Sequence, residues 1–143
     1  MSFTADVVAG LAALLDTAGV GTYRPDGVYE AGETAITDTV MPPAPDRAIC
    51  LTVYGVTADA RLTDTTLAVQ VRTRAGPDPR ECAALDDAAF DALHAAGPLS
   101  FGAARITLVT RASAAVLGAD ANGRHERTSN YQLRGHRPHP RLE

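Results

Sequence analysis

The side chains of this chain that are equipped for chemistry are few and scattered. His136 and His139 have a spacing that suits two ligands of one metal ion, but they lie in the proline-rich ending His136-Arg137-Pro138-His139-Pro140-Arg141. No third or fourth ligand is near them in the sequence, and tetrahedral zinc needs those. Asp120-Ala121-Asn122-Gly123 matches the opening of a calcium loop, yet the remaining carboxylates and the terminal glutamate of such a loop are missing, so a hairpin turn accounts for it better. His94 falls near the end of a helical pattern, where an imidazole eases the last carbonyls, and no Ser or Cys nucleophile is placed to partner it. Asp86, Asp87 and Asp91 invite a reading as paired acids, but their spacing puts them mostly on the outer side of an amphipathic helix, a solvated face. Arg72, Arg74, Arg80 and Arg105 form a basic group diluted by Asp78, Glu81 and Asp86, which favours ion pairs between subunits over phosphate contacts. The motifs GxSxG, GxxxxGK[ST], HExxH and paired CxxC are all missing. These residues predict no catalysis, no cofactor and no metal.

The elements that hold these side chains follow from periodicity. Residues 4–18 place Val7, Val8, Leu11, Leu14, Leu15 and Ala18 at helical spacing, with Thr4 as the expected cap and Gly19 as the stop. Residues 20–23 form a short strand before the turn Arg24-Pro25-Asp26-Gly27. Residues 34–40 are a second strand, and Met41-Pro42-Pro43-Ala44-Pro45 forces an extended connector. Residues 48–54 and 66–74 alternate as two strands of a long hairpin, whose polar stretch 55–64 has no large apolar residue holding its tip at 57–61. Asp78-Pro79-Arg80-Glu81 carries a capping carboxylate, a proline for the first helical position and a glutamate at the capping-box position. A helix starts there and is expected to run to about Ala96, turning Cys82, Leu85, Ala89, Leu93 and Ala96 inward before Gly97-Pro98 stops it. Residues 100–110 and 124–134 read as two further strands, paired antiparallel across the turn-forming stretch 118–123. The predicted fold is α+β: one twisted, mainly antiparallel sheet with two α-helices packed on one face, a single domain over residues 1–135 with 136–143 as an exposed tail.

Composition narrows the function classes. The chain has 143 residues, 45% of them apolar and 21% charged, which suits one globular domain. No run reaches the roughly 18 apolar residues of a spanning helix, and the first twenty residues lack the basic start and cleavage site of a signal peptide. A protein made and kept in a cytoplasm, with no membrane partner, is expected. Cys50 and Cys82 are too few for a disulfide framework and read as reduced core residues. The net charge of −4 and a pI near 5.5 argue against gripping nucleic acid, which needs clustered cations. The cations are all arginine or histidine, with no lysine anywhere, a pattern that follows from a GC-rich genome rather than from the fold.

A series of short segments carries a resemblance. They are Gly19-Val20-Gly21-Thr22-Tyr23-Arg24-Pro25, Met41-Pro42, Pro45-Asp46-Arg47-Ala48-Ile49 and Val69-Gln70-Val71-Arg72-Thr73-Arg74, followed by Leu117-Gly118-Ala119-Asp120, Asn122-Gly123-Arg124 and Ser129-Asn130-Tyr131. In this order the chain resembles the minor capsid proteins of siphophages and prophages of actinobacteria, a family whose members look like tail terminators. The resemblance implies a virion protein at the head–tail junction, assembled in the host cytoplasm. It implies a homo-oligomeric ring of six copies that ends tail-tube polymerisation. Its partners would be the major tail tube protein and a head completion protein, with DNA passing through the lumen without specific binding. The irregular stretches 24–47 and 57–65 fit arms ordered by a neighbouring subunit. The candidate subunit and partner contacts are Arg24, Asp26, Asp46, Arg47, Asp59, Arg61, Asp64, Arg72 and Arg74. A head completion or stopper protein is the alternative within the virion. A small cytoplasmic ligand-binding domain is the alternative outside it, and would need a pocket with convergent polar groups.

Overall fold

The first helix begins earlier than its apolar pattern implies. The computed structural model describes residues 2–142, and in it α1 (Phe3–Thr17) is capped by Ser2, whose Oγ accepts from the Ala5 N–H at 3.3 Å. Thr4 is therefore inside the helix, because Phe3 already packs against the core and its ring lies 4.9 Å beneath the Arg137 guanidinium. Gly19 ends the helix at φ +79°, a backbone setting that costs a β-carbon-free residue little. The chain then forms β1 (Thr22–Tyr23), β2 (Ala35–Asp38), β3 (Ala48–Ala58), β4 (Asp64–Arg74), α2 (Pro79–Leu93), β5 (Leu99–Phe101), β6 (Ala104–Ala119) and β7 (His125–His136).

The second helix starts where its signals place it. The Asp78 carboxylate accepts from the Arg80 N–H at 3.0 Å and Pro79 opens the helix. It stops at Leu93, short of Ala96. Ala95 takes a positive φ, its N–H donates to the Val109 carbonyl at 2.7 Å, and the Val109 N–H donates to the Ala96 carbonyl at 2.9 Å. Two strand-like bonds to β6 thus replace the last helical turn. The stretch 100–110, expected as one strand, folds back at Gly102 (φ +61°) into β5 and the start of β6. β6 then continues through Ala119, so the expected loop at 118–123 shrinks to the turn before β7.

Seven strands form one sheet in the order β1-β2-β3-β4-β7-β6-β5. β1–β2 and β2–β3 are parallel, and every other pair is antiparallel, so the mainly antiparallel expectation holds with a parallel corner added. The middle is built from two hairpins, β3–β4 and β6–β7, joined by the β4–β7 ladder from Asp64↔His136 to Arg74↔Glu126. The β7 strand reaches His136, the first residue of the expected tail, and the Arg137 N–H donates to the Thr63 carbonyl at 2.9 Å.

Both helices cover one face. Ile49, Leu51, Leu67, Val69, Val71, Tyr131 and Leu133 point into a single core with Val7, Val8, Leu11, Leu15, Leu85, Ala89 and Leu93. Each of the Val, Leu and Ile side chains among them contributes about 1.5–3 kcal/mol on burial. Cys50 and Cys82 are free and buried, as their element positions predicted. Thr73 touches Cys82 of α2, so its neighbour Arg74 points to the opposite face. There the loop from β2 to β3 crosses the upper end of the sheet, held by Arg74. Below that loop the face is uncovered and carries Thr52, Gln70, Asn130, Gln132 and Arg134.

Candidate functional site

The nine charged residues expected at subunit contacts divide into an upper group and a tip group. Arg24 pairs with Glu33, whose carboxylate it holds below the usual range, and Asp26 is exposed in the following turn. Arg47 Nε donates to Thr34 Oγ1 at 3.1 Å, and Asp46 lies 3.4 Å from Arg124 Nη1. Arg72 Nε donates to Glu126 at 2.7 Å, which raises the guanidinium pKa. Arg74 is buried, and burial lowers its pKa; it donates to the carbonyls of Asp46 at 2.8 Å and Pro45 at 2.7 Å. Asp59, Arg61 and Asp64 are exposed together at the β3–β4 tip, far along the strands from the others.

Neither irregular stretch waits for a neighbour. Tyr29 Oη accepts from the Arg24 N–H at 2.9 Å and donates to the Ile36 carbonyl at 2.6 Å, β2 joins the sheet, and Arg74 and Arg124 grip the carbonyls of Pro43, Pro45 and Asp46. The tip is closed by Asp59 Oδ1, which accepts from the N–H groups of Arg61 and Leu62 at 2.7 and 3.0 Å. The expectation of unanchored arms is corrected: intramolecular side chain to backbone bonds, invisible in composition, supply the order.

The residues that suggested chemistry are committed elsewhere. His136 Nδ1 meets Thr63 Oγ1 at 2.6 Å, while His139 Nδ1 accepts from the Arg141 N–H at 3.0 Å. Among the described residues no group of three His, Cys, Asp or Glu is placed to hold a metal ion, and no helix is long and apolar enough to cross a membrane. His94 stacks on Phe90 and its Nδ1 accepts the Arg111 N–H at 3.0 Å, so it serves β6 rather than the helix carbonyls. Asp120 caps the β6–β7 turn, accepting from the N–H groups of Asn122 and Arg124 at 2.9 Å each, and these bonds lower its pKa.

Asp86 is the exception to the solvated-face reading. It is 1% exposed, accepts from Ser129 Oγ at 2.7 Å and lies 3.7 Å from both Arg111 and Arg127, whereas Asp87 and Asp91 are exposed as expected. Helical spacing alone gave no sign of the partners that draw it inward. Beside it Tyr131 is buried, which pushes its phenol pKa up to about 12.

A cleft of about 750 Å³ lies between the upper loops and the start of α2, lined by Tyr29, Glu33, Pro45, Asp46, Arg47 and Glu81 among others. Its lining has no Ser, Thr, Cys, His or Lys, and its one hydroxyl, on Tyr29, is engaged as described. Convergent catalytic geometry is not built there.

What the sheet does offer is unpaired backbone. β2 covers the outer side of β3 only from Ala48 to Leu51, and the Thr39 N–H takes the Leu51 carbonyl, leaving residues 52–58 open. β5 covers β6 only from Ala104 to Ile106, and residues 95–96 cover only Val109, leaving residues 112–119 open. Exposed apolar side chains stand on both stretches: Tyr54 at 59%, Val56 at 48%, Val116 at 67% and Leu117 at 50%.

Comparison with known proteins then adds sequence and fold relatives. A family model described as bacteriophage tail terminator protein matches residues 14–137. No curated protein matches the sequence. Among solved structures, a chain described as belonging to the virion of a native gene transfer agent particle shares the fold at a TM-score of 0.56 and 17% identity, over 90% of this chain and 86% of that one.

Proposed function

Because the chain belongs to the bacteriophage tail terminator family, a family of structural virion proteins and not of enzymes, we propose that it forms a ring of six copies that caps the finished tail tube. The ring joins the tube to head completion proteins at the head–tail junction and assembles in the host cytoplasm. The observation that carries this reading is the family match over residues 14–137, which takes in every strand and α2.

The geometry supports it in two ways. A sheet with free backbone on both outer sides is suited to being continued by other polypeptides, and a head-to-tail contact closes into a ring when its rotation divides a full turn. The uncovered face, mostly hydroxyl and amide side chains with Arg72 and Arg134 among them, is suited to line a channel: six copies of a chain with net charge −4 carry about −24, which repels DNA and leaves it free to slide. Termination then follows from geometry. The ring occupies the docking surface of the last tube layer and replaces a repeating interface with one that only a head protein matches. Of the charged contacts, Arg24, Asp26, Asp46, Arg47, Asp59, Arg61, Asp64 and Arg72 remain candidates, while the guanidinium of Arg74 is committed within its own chain.

The test is to polymerise the major tail tube protein with and without this chain and to measure tube lengths by electron microscopy. A labelled copy is expected at the head-proximal end of each tube, with growth from that end halted. Deletion of residues 58–62 is expected to spare the fold and weaken capping. Tubes that elongate equally in the presence of the intact protein, or a label found at the capsid vertex instead, would refute the assignment.

A further inference from the structure

The two open stretches of strand break the rule by which soluble sheets protect their edges. Free edges ordinarily carry charge or proline, or are kept short. β1 and β5 follow that rule, at two and three residues. The longer open stretches do the reverse: neither Thr52-Val53-Tyr54-Gly55-Val56-Thr57-Ala58 nor Ala112-Ser113-Ala114-Ala115-Val116-Leu117-Gly118-Ala119 contains a charged residue or a proline. The charges sit on the interior strands instead, as Asp64, Arg72 and Arg74 on β4 and Glu126, Arg127 and Arg134 on β7. Such edges are suited to backbone pairing with another chain.

We propose that residues 112–119 of β6 pair antiparallel with residues 52–58 of β3 in a second copy of this chain, so that the sheet runs on from copy to copy. The proposal rests on the ring reading above and specifies its contact. Polarity allows it, because three successive antiparallel pairings leave β3 and β6 running in opposite directions, so one copy's β6 meets the next copy's β3 antiparallel. Length allows it too, since the two stretches are nearly equal.

Setting Tyr54 opposite Val116, the most exposed apolar residue of each edge, defines a register. Thr52 falls opposite Gly118, Tyr54 opposite Val116 and Ala58 opposite Ala112. Tyr54 and Val116 then cover one another, Leu117 falls opposite Val53, Val56 falls opposite Ala114, and Asp59 comes beside Arg111. In this register each copy is displaced along the strands by four to five residues relative to the last, roughly 15 Å at about 3.3 Å per residue. Spread over the four strands β3, β4, β7 and β6, that is about one residue per strand, a stagger that tilts strands by about 35–40°, inside the range for closed barrels. Bulges between Val53 and Gly55 and between Val116 and Gly118 add local twist at both edges. The stagger follows from that pairing, not from any choice of ring size.

Cysteine pairing tests this directly, because Cys50 and Cys82 are buried and do not compete. A purified Tyr54→Cys variant is mixed with a Val116→Cys variant at millimolar concentration and oxidised. The mixed disulfide is expected to exceed either self-pair at least tenfold, and the double variant is expected to give a ladder of linked copies. A second measurement is hydrogen exchange, in which residues 52–58 and 112–119 gain protection together on assembly. Val116→Lys is expected to keep the thermal midpoint and weaken assembly at least tenfold. A mixed disulfide that is absent, or less than tenfold above the Val116→Cys self-pair, would overturn the proposal. Rings that form while both stretches exchange freely would overturn the edge contact and leave the terminator reading standing; edge pairing in a protein that never halts a tube would do the opposite.

Discussion

Replacing Asp86 by alanine removes a carboxylate that the fold has drawn under α2. Its shortest contact is the 2.7 Å bond from Ser129 Oγ, and a hydrogen bond to a charged acceptor contributes about 1.5–3 kcal/mol. Arg111 and Arg127, each at 3.7 Å with side chains about a quarter exposed, add about 0–1 kcal/mol apiece after solvent screening. The expected loss is therefore about 2–4 kcal/mol, a fall in midpoint of about 6–12 °C for a domain of this size. Asp87→Ala, one residue along on the exposed side, is the control and is expected to stay within about 0.5 kcal/mol. Urea unfolding followed by circular dichroism measures both, and the Asp86→Ala, Ser129→Ala cycle is expected to show a coupling above about 1 kcal/mol. Equal stabilities for the Asp86 and Asp87 variants would refute the buried network and return Asp86 to a solvated face.

Gly10→Ala would set a β-carbon 2.2 Å from the Phe101 ring; a loss of about 1–3 kcal/mol in urea unfolding is expected, and one below about 0.5 kcal/mol would mean that β5 moves aside freely. Asp120 supplies a pH dependence: its carboxylate is held below the ordinary value, first by the Arg124 N–H, so its contribution is complete above the unfolded value near ~3.9 and is lost as pH falls through the lower folded value. The protection of the Asn122 and Arg124 amides, measured as exchange relative to the intrinsic rate at each pH, should fall only in that acid window, and Asp120→Asn should remove that fall; protection already lost at neutral pH would contradict this.

Both helices and the two-hairpin framework are legible in the sequence because they rest on local signals. Asp78-Pro79 caps a helix without help from elsewhere, and the alternation in residues 48–54 and 66–74 declares two faces. The missed features lack such signals. Residues 112–119 show no alternation of polar and apolar side chains, since both sides of that stretch are exposed, so the strand expected over 100–110 carries no sign that it continues to Ala119. Asp86 has the same helical phase as a solvated acid and differs only in meeting Ser129 and two arginines from other strands. The anchoring of residues 41–47 depends on Arg74 and Arg124, which are distant in the chain. Of the candidate contacts, the tip residues Asp59, Arg61 and Asp64 are exposed as their polar stretch implied, whereas no sequence pattern distinguishes Arg74, buried beneath the β2–β3 loop, from Arg72, which lies on the same face two residues away and stays half-exposed.

The order of strands across the sheet also sets an order in time. β3 with β4, and β6 with β7, each close through a short turn, an event of about 1–10 μs. The seam between them joins Asp64 to His136 and Arg74 to Glu126, so it closes a loop that contains α2, β5 and β6. The entropy of that closure is lost before the seam rewards it, and the seam is therefore the slow step of folding. A nascent chain will hold its first hairpin ready, with β4 unpartnered on one side, until β7 has left the ribosome.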